Sequence, residues 1–126
     1  MRERLNDIFE FSSLFAGKIH AILCRNWQYR NKGRDLYDYI FYLSKNTKVN
    51  IKLIREKLID SNFLKREDDF GIDILKELLN KKFGEINYTN AKEDVIVFIK
   101  DKDSLNLWSE EFFKEITKNL INSENE

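Results

Sequence analysis

The 126-residue sequence has no proline, only four glycines and a single cysteine. Proline disrupts helix interiors and favours turns, so its absence indicates a helical protein with short connections. A single cysteine excludes an intramolecular disulfide and fits a reducing, cytoplasmic setting. The first residues are charged, unlike a signal peptide, and no apolar run approaches the ~18 residues that cross a bilayer. No membrane association is therefore expected.

An excess of one sign of charge is also missing. Lysine and arginine number 22, aspartate and glutamate number 22, and the formal net charge is zero. A domain-wide basic field for nucleic acid is thus excluded, and any site for a polyanion must be local. Hydrophobic residues make up 42% of the chain, enough for one domain with an apolar core.

Apolar residues at spacings of three and four predict a compact all-α bundle of five or six helices. Residues 1–11 carry a short alternating pattern, which predicts an N-terminal arm or strand. Ser12 or Ser13 would then cap a first helix that ends near residue 27. We therefore expect a helical domain over residues 12–122 and a frayed polar tail over residues 123–126.

Later segments repeat the helical pattern. We predict helices from about Arg34 to Lys45, from an Asn50 cap onward, from residue 71 to 83 with Gly84 closing it, and from about 104 to 121. Thr89 can cap a further helix, although "VIVFI", residues 95–99, alone suggests a buried strand.

The side chains with candidate chemical roles are concentrated in residues 16–43. On a wheel of about 100° per residue, Lys18 and Arg25 stack on one face of the first helix, beside an apolar stripe. Asp35 and Asp38 share one face of the second helix. That face also carries two tyrosines, Tyr39 and Tyr42. If the two helices are antiparallel neighbours, Lys18 meets Asp35 or Asp38 in a hollow that solvent can reach.

The connecting loop adds Arg30, Lys32 and Arg34, so the pattern predicts a small cationic pocket with carboxylates at its edge. Lysine and arginine neutralise phosphate charge, and a carboxylate activates a hydroxyl or holds a metal. The structural alternative is an interhelical ion pair worth ~0–1 kcal/mol, with Asp35 favoured at a helix start. The pattern alone leaves both open.

His20 and Cys24 lie one helical turn apart and could supply two metal ligands. Nothing nearby supplies the other two that zinc requires, so no metal site is predicted in this chain.

The stretch "LFAGKIHAILCRNWQYRNKGRDLYDYIFYL" closely resembles the C-terminal half of the AbiEii/AbiGii toxin family. These are nucleotidyltransferase-fold proteins of phage abortive-infection and toxin–antitoxin systems. The resemblance rests on "GKxHAxLCRxW", followed by "KGRDxYD" at the start of the next helix. "NAKEDVIVFIKD" and "LNLWSEEFFKEI" are similar to the closing helices of the family, so the resemblance runs from about Phe11 to Leu120.

The resemblance implies a nucleotidyltransferase in which the helical half contributes a lysine and an aspartate, matching Lys18 and Asp35. Lys18 would contact nucleotide phosphates, and Asp35 would complete the active site or orient the attacking group. Further substrate contacts are expected from the neighbouring charged residues, Arg25, Arg30, Lys32, Arg34 and Asp38. Some family members add nucleotides to the acceptor end of tRNA, and a partner antitoxin restrains them.

In the family, an N-terminal sheet supplies a Gly-Gly turn and a "DxD"-like pair for magnesium. This sequence has no Gly-Gly pair, and its acidic doublets, "EDD" at 67–69 and "DKD" at 101–103, lack a Gly-rich turn. We therefore expect a C-terminal fragment, a truncated product or a split partner that holds no cofactor and is inactive alone. Magnesium and a nucleoside triphosphate would belong to the complete enzyme.

Two further expectations concern partners. Separation from a missing sheet would leave an apolar face that could drive homodimerisation. The alternative function is a non-catalytic helical module that binds an antitoxin or RNA through Arg25, Arg30, Lys32 and Arg34.

Overall fold

Six α-helices follow one another in the computed structural model, which describes residues 2–24 and 32–122, with side chains from 10–24 and 33–121. The helices are α1 (Arg2–Cys24), α2 (Lys32–Ser44), α3 (Ile51–Asp60), α4 (Ile72–Phe83), α5 (Tyr88–Val95) and α6 (Glu110–Thr117). Short 3₁₀ helices span Ile96–Phe98 and Lys102–Leu107. The predicted all-α class is confirmed.

One small element was not predicted. Strand β1 (Lys48–Val49) pairs in parallel with β2 (Ile121–Asn122), with Lys48 opposite Ile121. This pair joins the connection after α2 to the described end of the chain. Two-residue strands are too short to show a period in the sequence, so their pairing follows from tertiary packing.

Side-chain caps fix the starts of three helices. The Asn50 side chain accepts a hydrogen bond from the Leu53 amide, as predicted for α3. Helix α5 is capped by Asn87 rather than Thr89, so that expectation was wrong by two residues. The predicted end of α4 at Gly84 is confirmed.

The prediction of an arm or strand over residues 1–11 was wrong for residues 2–11, which form the first turns of α1. The expected domain start at residue 12 therefore falls inside a helix. Ser12 does not cap it: its hydroxyl is buried and donates to the Lys48 carbonyl oxygen at 2.8 Å. Neither proline nor glycine interrupts the chain before Gly17, so nothing stops the helix from extending backward. The predicted frayed tail, residues 123–126, lies outside the described residues, as does the predicted helix end near residue 27.

The expected single helix over residues 104–121 is broken in the middle. The chain forms a 3₁₀ helix to Leu107, becomes extended at Trp108 and restarts at Glu110, where Ser109 accepts a hydrogen bond from the Phe112 amide. This break seats the Trp108 ring in the core, edge-on to Phe113. "VIVFI" is also not a strand, because Val95 ends α5 and the next three residues form a 3₁₀ turn.

Helices α2 and α5 approach so closely that only glycine fits at position 33. A Cβ atom added to Gly33 would lie 2.1 Å from the Ala91 carbonyl oxygen. Gly33 lies inside α2 without a positive φ angle, so its role is close packing and not backbone freedom. The largest fully buried side chains of the core come from α1, α2, α3, α4 and α6, and include Phe15, Ile19, Leu36, Tyr39, Leu58, Leu79, Phe83 and Phe113.

The helical wheel placed Tyr39 on the polar face of α2, and this placement was wrong. Tyr39 is fully buried, and its hydroxyl lies 2.7 Å from the Thr117 hydroxyl of α6. Thr117 in turn donates to the Phe113 carbonyl oxygen at 2.7 Å. Among the described helices, none is both long and apolar enough to cross a membrane.

Candidate functional site where α1, α2 and α3 meet

Earlier residues of α1 contact later residues of α2, and later residues of α1 contact earlier residues of α2. Phe11 packs near Tyr42, and seven residues later Lys18 reaches back to Asp38 and Asp35. The two helices are therefore antiparallel neighbours, which is the arrangement on which the expected contact of Lys18 depended. The Lys18 Nζ atom lies 2.7 Å from Asp38 Oδ2 and 3.6 Å from Asp35 Oδ1. The predicted contact of this lysine with a carboxylate is confirmed, and it involves both aspartates.

The two carboxylates differ sharply in burial. The Asp35 side chain is 4% exposed, whereas those of Lys18 and Asp38 are 35% and 37% exposed. Burial of a carboxylate is costly unless other groups compensate its charge, so Asp35 requires favourable contacts. Lys18 supplies one of them, and Asp35 has further interactions.

The carboxylates also stabilise the charge of Lys18. Burial alone would lower the pKa of its ammonium group, but the hydrogen bond to Asp38 and the charges of Asp38 and Asp35 raise that pKa above the ordinary value. Lys18 is therefore a permanent cation at physiological pH. An ammonium group has three N–H donors, and two carboxylates leave a donor for a ligand.

Lys18 and Asp35 border an open cleft of about 440 Å³. Its α1 wall is formed by Glu10, Ser13, Leu14, Gly17, Lys18 and Ala21, while α2 contributes Asp35 and α3 contributes Leu53 and Lys57. The hollow expected beside Lys18 and Asp35 is confirmed. A concave surface with a few charged groups on apolar walls is typical of small-molecule sites.

Lys57 is a cleft residue that the sequence analysis missed. It lies in the last turn of α3 and lines the cleft together with Leu53 of the same helix. Its ammonium group makes no ion pair or hydrogen bond with any residue in the described part of the chain. The sequence did contain a sign of this residue. Position 57 falls on the helical period of Leu53, Ile54 and Leu58, where an apolar residue and not a lysine is expected.

Of the remaining predicted substrate contacts, Asp38 and Arg34 do not line the cleft. Arg34 is exposed, and its guanidinium carbon lies 3.7 Å from the centre of the Phe98 ring. Lys32 begins α2, but its side chain lies outside the described part. Arg25 and Arg30 also lie outside the described residues. Their predicted roles stay predictions.

His20 and Cys24 both lie beside Ser61 at the end of α3. The His20 Nε2 atom is 2.7 Å from the Ser61 hydroxyl oxygen. Burial, together with the nearby charge of Lys57, lowers the pKa of His20. Burial also raises the pKa of the Cys24 thiol, which disfavours the thiolate that binds metals.

The described residues do not fit a magnesium or zinc ion. They contain no group of three or more histidine, cysteine, aspartate or glutamate side chains placed to hold one. Asp38 is engaged by Lys18, "EDD" lies in an exposed turn, and "DKD" forms the exposed start of the second 3₁₀ helix. For example, Asp68 Oδ2 accepts a hydrogen bond from the Lys65 amide, and the Asp101 carbonyl oxygen accepts one from the Ser104 hydroxyl.

The described helices therefore place a lysine and an aspartate together at an open cleft, at the two positions that the resemblance in the sequence singled out. The family described as "Nucleotidyl transferase AbiEii toxin, Type IV TA system" matches residues 8–115. The chain belongs to this AbiEii family of toxin–antitoxin nucleotidyl transferases, which confirms the resemblance in the sequence. No curated protein and no solved structure matches the chain.

Proposed function

We propose that this chain is the helical, substrate-positioning part of an AbiEii nucleotidyl transferase, and that the cleft binds the phosphates of a nucleoside triphosphate. Lys18 donates to a phosphate oxygen, and Asp35 completes the site or orients the attacking group. The magnesium ligands of the active site come from protein outside the described helices. The partners in that role would be a nucleotide and an acceptor, and tRNA is one candidate for the acceptor.

The observation that carries this proposal is the position of Lys18. Its ammonium group contacts two carboxylates of α2 and yet keeps 35% of the side chain exposed at the edge of the cleft. A lysine in a purely structural ion pair needs no open volume beside it. Here the volume is present, and the carboxylates hold the ammonium group in one place before a ligand arrives.

Nucleotidyl transfer forms a bond between an acceptor oxygen and the α-phosphorus and releases pyrophosphate. Catalysis of such a step depends mainly on positioning and on stabilising negative charge on the phosphate oxygens. Lys18 supplies a positive charge for those oxygens. The buried Asp35 fixes the lysine in position and presents a carboxylate oxygen to an approaching hydroxyl group.

Isothermal titration calorimetry with each of the four ribonucleoside triphosphates tests the proposal. We expect binding by the native protein and at least about tenfold weaker binding by Lys18→Met, because one charge-assisted hydrogen bond is lost. Lys81→Met on α4 is the matched control, since Lys81 is exposed and lies outside the cleft. Equal affinities of the native protein and Lys18→Met would overturn the proposed role of the cleft.

A second candidate is the non-catalytic interaction module, and an exposed apolar surface favours it. Ile96, Val97, Phe98 and Leu107 are 39%, 74%, 60% and 61% exposed, respectively, in or beside the two 3₁₀ helices. Large side chains exposed on neighbouring turns are typical of protein interfaces. An antitoxin or a second copy of the chain would suit this surface better than RNA, because its large exposed side chains are apolar. Two cations lie beside them: Arg34 contacts the Phe98 ring, and Lys102 donates to the Ile96 carbonyl oxygen.

The mass of the protein in solution and the salt dependence of RNA binding separate these partners. We expect Val97→Ser to weaken a dimer or an antitoxin complex without changing nucleotide affinity. RNA held by the basic residues would lose affinity steeply between 50 and 200 mM salt. An interaction insensitive both to Val97→Ser and to salt would exclude this second candidate.

A further inference from the structure

The two lysines that border the cleft differ in whether carboxylates neutralise their charge. Lys18 is neutralised by Asp35 and Asp38, whereas the Lys57 ammonium group has no ion pair with any described residue. Glu10 brings one further carboxylate, and its side chain is exposed. An anionic ligand that enters the cleft therefore meets its least compensated cation on the α3 wall, not on α1.

The α1 wall has an unusual residue at its centre. Gly17 lies in the middle of a 23-residue helix, where glycine costs about 1 kcal/mol relative to alanine. A Cβ atom added to Gly17 would meet nothing within 4 Å, so packing within the fold does not require glycine there. Gly17 does line the cleft, and the missing side chain leaves space next to Lys18.

We propose that Lys57 is a second phosphate-binding residue, which together with Lys18 holds a polyphosphate group in the space that Gly17 leaves open. This inference rests on the proposed function, because it assigns a further contact to the same nucleotide. Two ammonium groups on different helices suit a ligand with several negative charges in a row. Lysine binds such phosphates as a point charge, which requires no fixed planar geometry.

The local alternative is that Lys57 serves only α3. A cation in the last turn of a helix interacts favourably with the helix dipole, which would account for a lysine at this position without any ligand. That role predicts an effect on stability alone. It does not account for the space beside Gly17 on α1.

Calorimetric titration with inorganic tripolyphosphate and with each ribonucleoside triphosphate tests the inference. We expect Lys57→Gln to weaken binding of both kinds of ligand by about tenfold, equal to about 1.4 kcal/mol. Lys52→Gln is the matched control, because Lys52 is an exposed lysine on the same helix that does not line the cleft. Its affinities should stay within about twofold of the native protein.

Gly17→Leu provides an independent test, because its thermal stability and its affinity for tripolyphosphate should change in opposite directions. We expect its thermal midpoint to rise by a few degrees, because leucine is a better helix former than glycine and a Cβ atom at this position meets nothing within 4 Å. Its affinity for tripolyphosphate should fall about tenfold, because the side chain fills the cleft. Unchanged affinity in this variant would contradict the assigned use of the space beside Gly17.

The outcomes separate this inference from the proposed function. If Lys18→Met loses affinity while Lys57→Gln matches Lys52→Gln, Lys57 is not a phosphate contact and the proposed function stands. If the native protein binds neither tripolyphosphate nor any nucleotide, both fail together. If Lys57→Gln and Lys18→Met both lose affinity, the second phosphate contact is established.

Discussion

Helix α2 carries two polar clusters that differ in their access to solvent. On its packed side, the Tyr39 hydroxyl contacts Thr117, which donates to the Phe113 carbonyl oxygen, and all three residues are buried. On its cleft side, Asp35 and Asp38 contact Lys18, which remains partly exposed. The hydroxyl groups of the first cluster form their hydrogen bonds within the core. In the second cluster, the Lys18 ammonium group remains partly exposed at an open surface. Access, and not polarity, distinguishes the structural cluster from the candidate site.

The largest expected effect lies on the packed side. Gly33→Ala should lower the free energy of unfolding by about 3 kcal/mol or more, because the new Cβ atom would collide with the Ala91 carbonyl oxygen. Urea denaturation measures the change, and Gly17→Ala is the control. That substitution meets open space and should stabilise the protein by up to about 1 kcal/mol. Equal stabilities of the two variants would contradict the close approach of α2 and α5.

The two carboxylates that contact Lys18 should differ in their effect on stability. Asp38 has the shorter contact with Lys18, but Asp35 is far more buried, and burial decides the cost of losing a charge partner. We expect Asp35→Asn to cost about 1–3 kcal/mol and Asp38→Asn about 0–1 kcal/mol. Chemical denaturation of the two variants gives the comparison. A larger loss for Asp38→Asn would show that contact distance outweighs burial here.

The buried hydroxyl of Tyr39 should affect stability and leave binding unchanged. Tyr39→Phe removes one partner of Thr117, whose hydroxyl still donates to Phe113, so the expected cost is about 1 kcal/mol. Nucleotide affinity, measured by calorimetry on the same sample, should equal that of the native protein. A loss of affinity would mean that the two sides of α2 are coupled.

The smallest expected effect is a pH dependence from the single histidine. The folded-state pKa of His20 is lowered from its ordinary value of 6.5, through burial and the charge of Lys57. Its contribution to stability is therefore complete above pH 6.5 and is lost as the pH falls through the folded-state pKa. Thermal unfolding from pH 5 to 8 should show this slope, and His20→Gln should flatten it. An unchanged slope in the variant would assign it to other groups.

Local patterns predicted those parts of the fold that local interactions decide. The Asn50 cap, the helix ending before Gly84 and the seam between Lys18 and the two aspartates all follow from spacing within one or two helices. Residues 2–11 were misjudged because an alternating pattern of a few residues does not separate a strand from a helix.

Tertiary packing decided the rest. The burial of Tyr39 depends on Thr117, 78 positions away, and no helical wheel of α2 contains that information. The break at Trp108 and the pairing of β1 with β2 likewise depend on distant partners. Lys57 was missed because one lysine among apolar positions resembles an ordinary variation of the apolar stripe, and only the packing of α1 and α3 shows that it lines a cleft.

Chemical-shift mapping of the ¹⁵N-labelled protein with ribonucleoside triphosphates most directly tests whether the cleft binds nucleotide. We predict that the largest shifts of backbone amides occur at Gly17, Lys18, Leu53 and Lys57, while Phe113 and Thr117 on the packed side stay unchanged. No shifts at millimolar nucleotide, or shifts confined to the surface around Val97, would contradict the account.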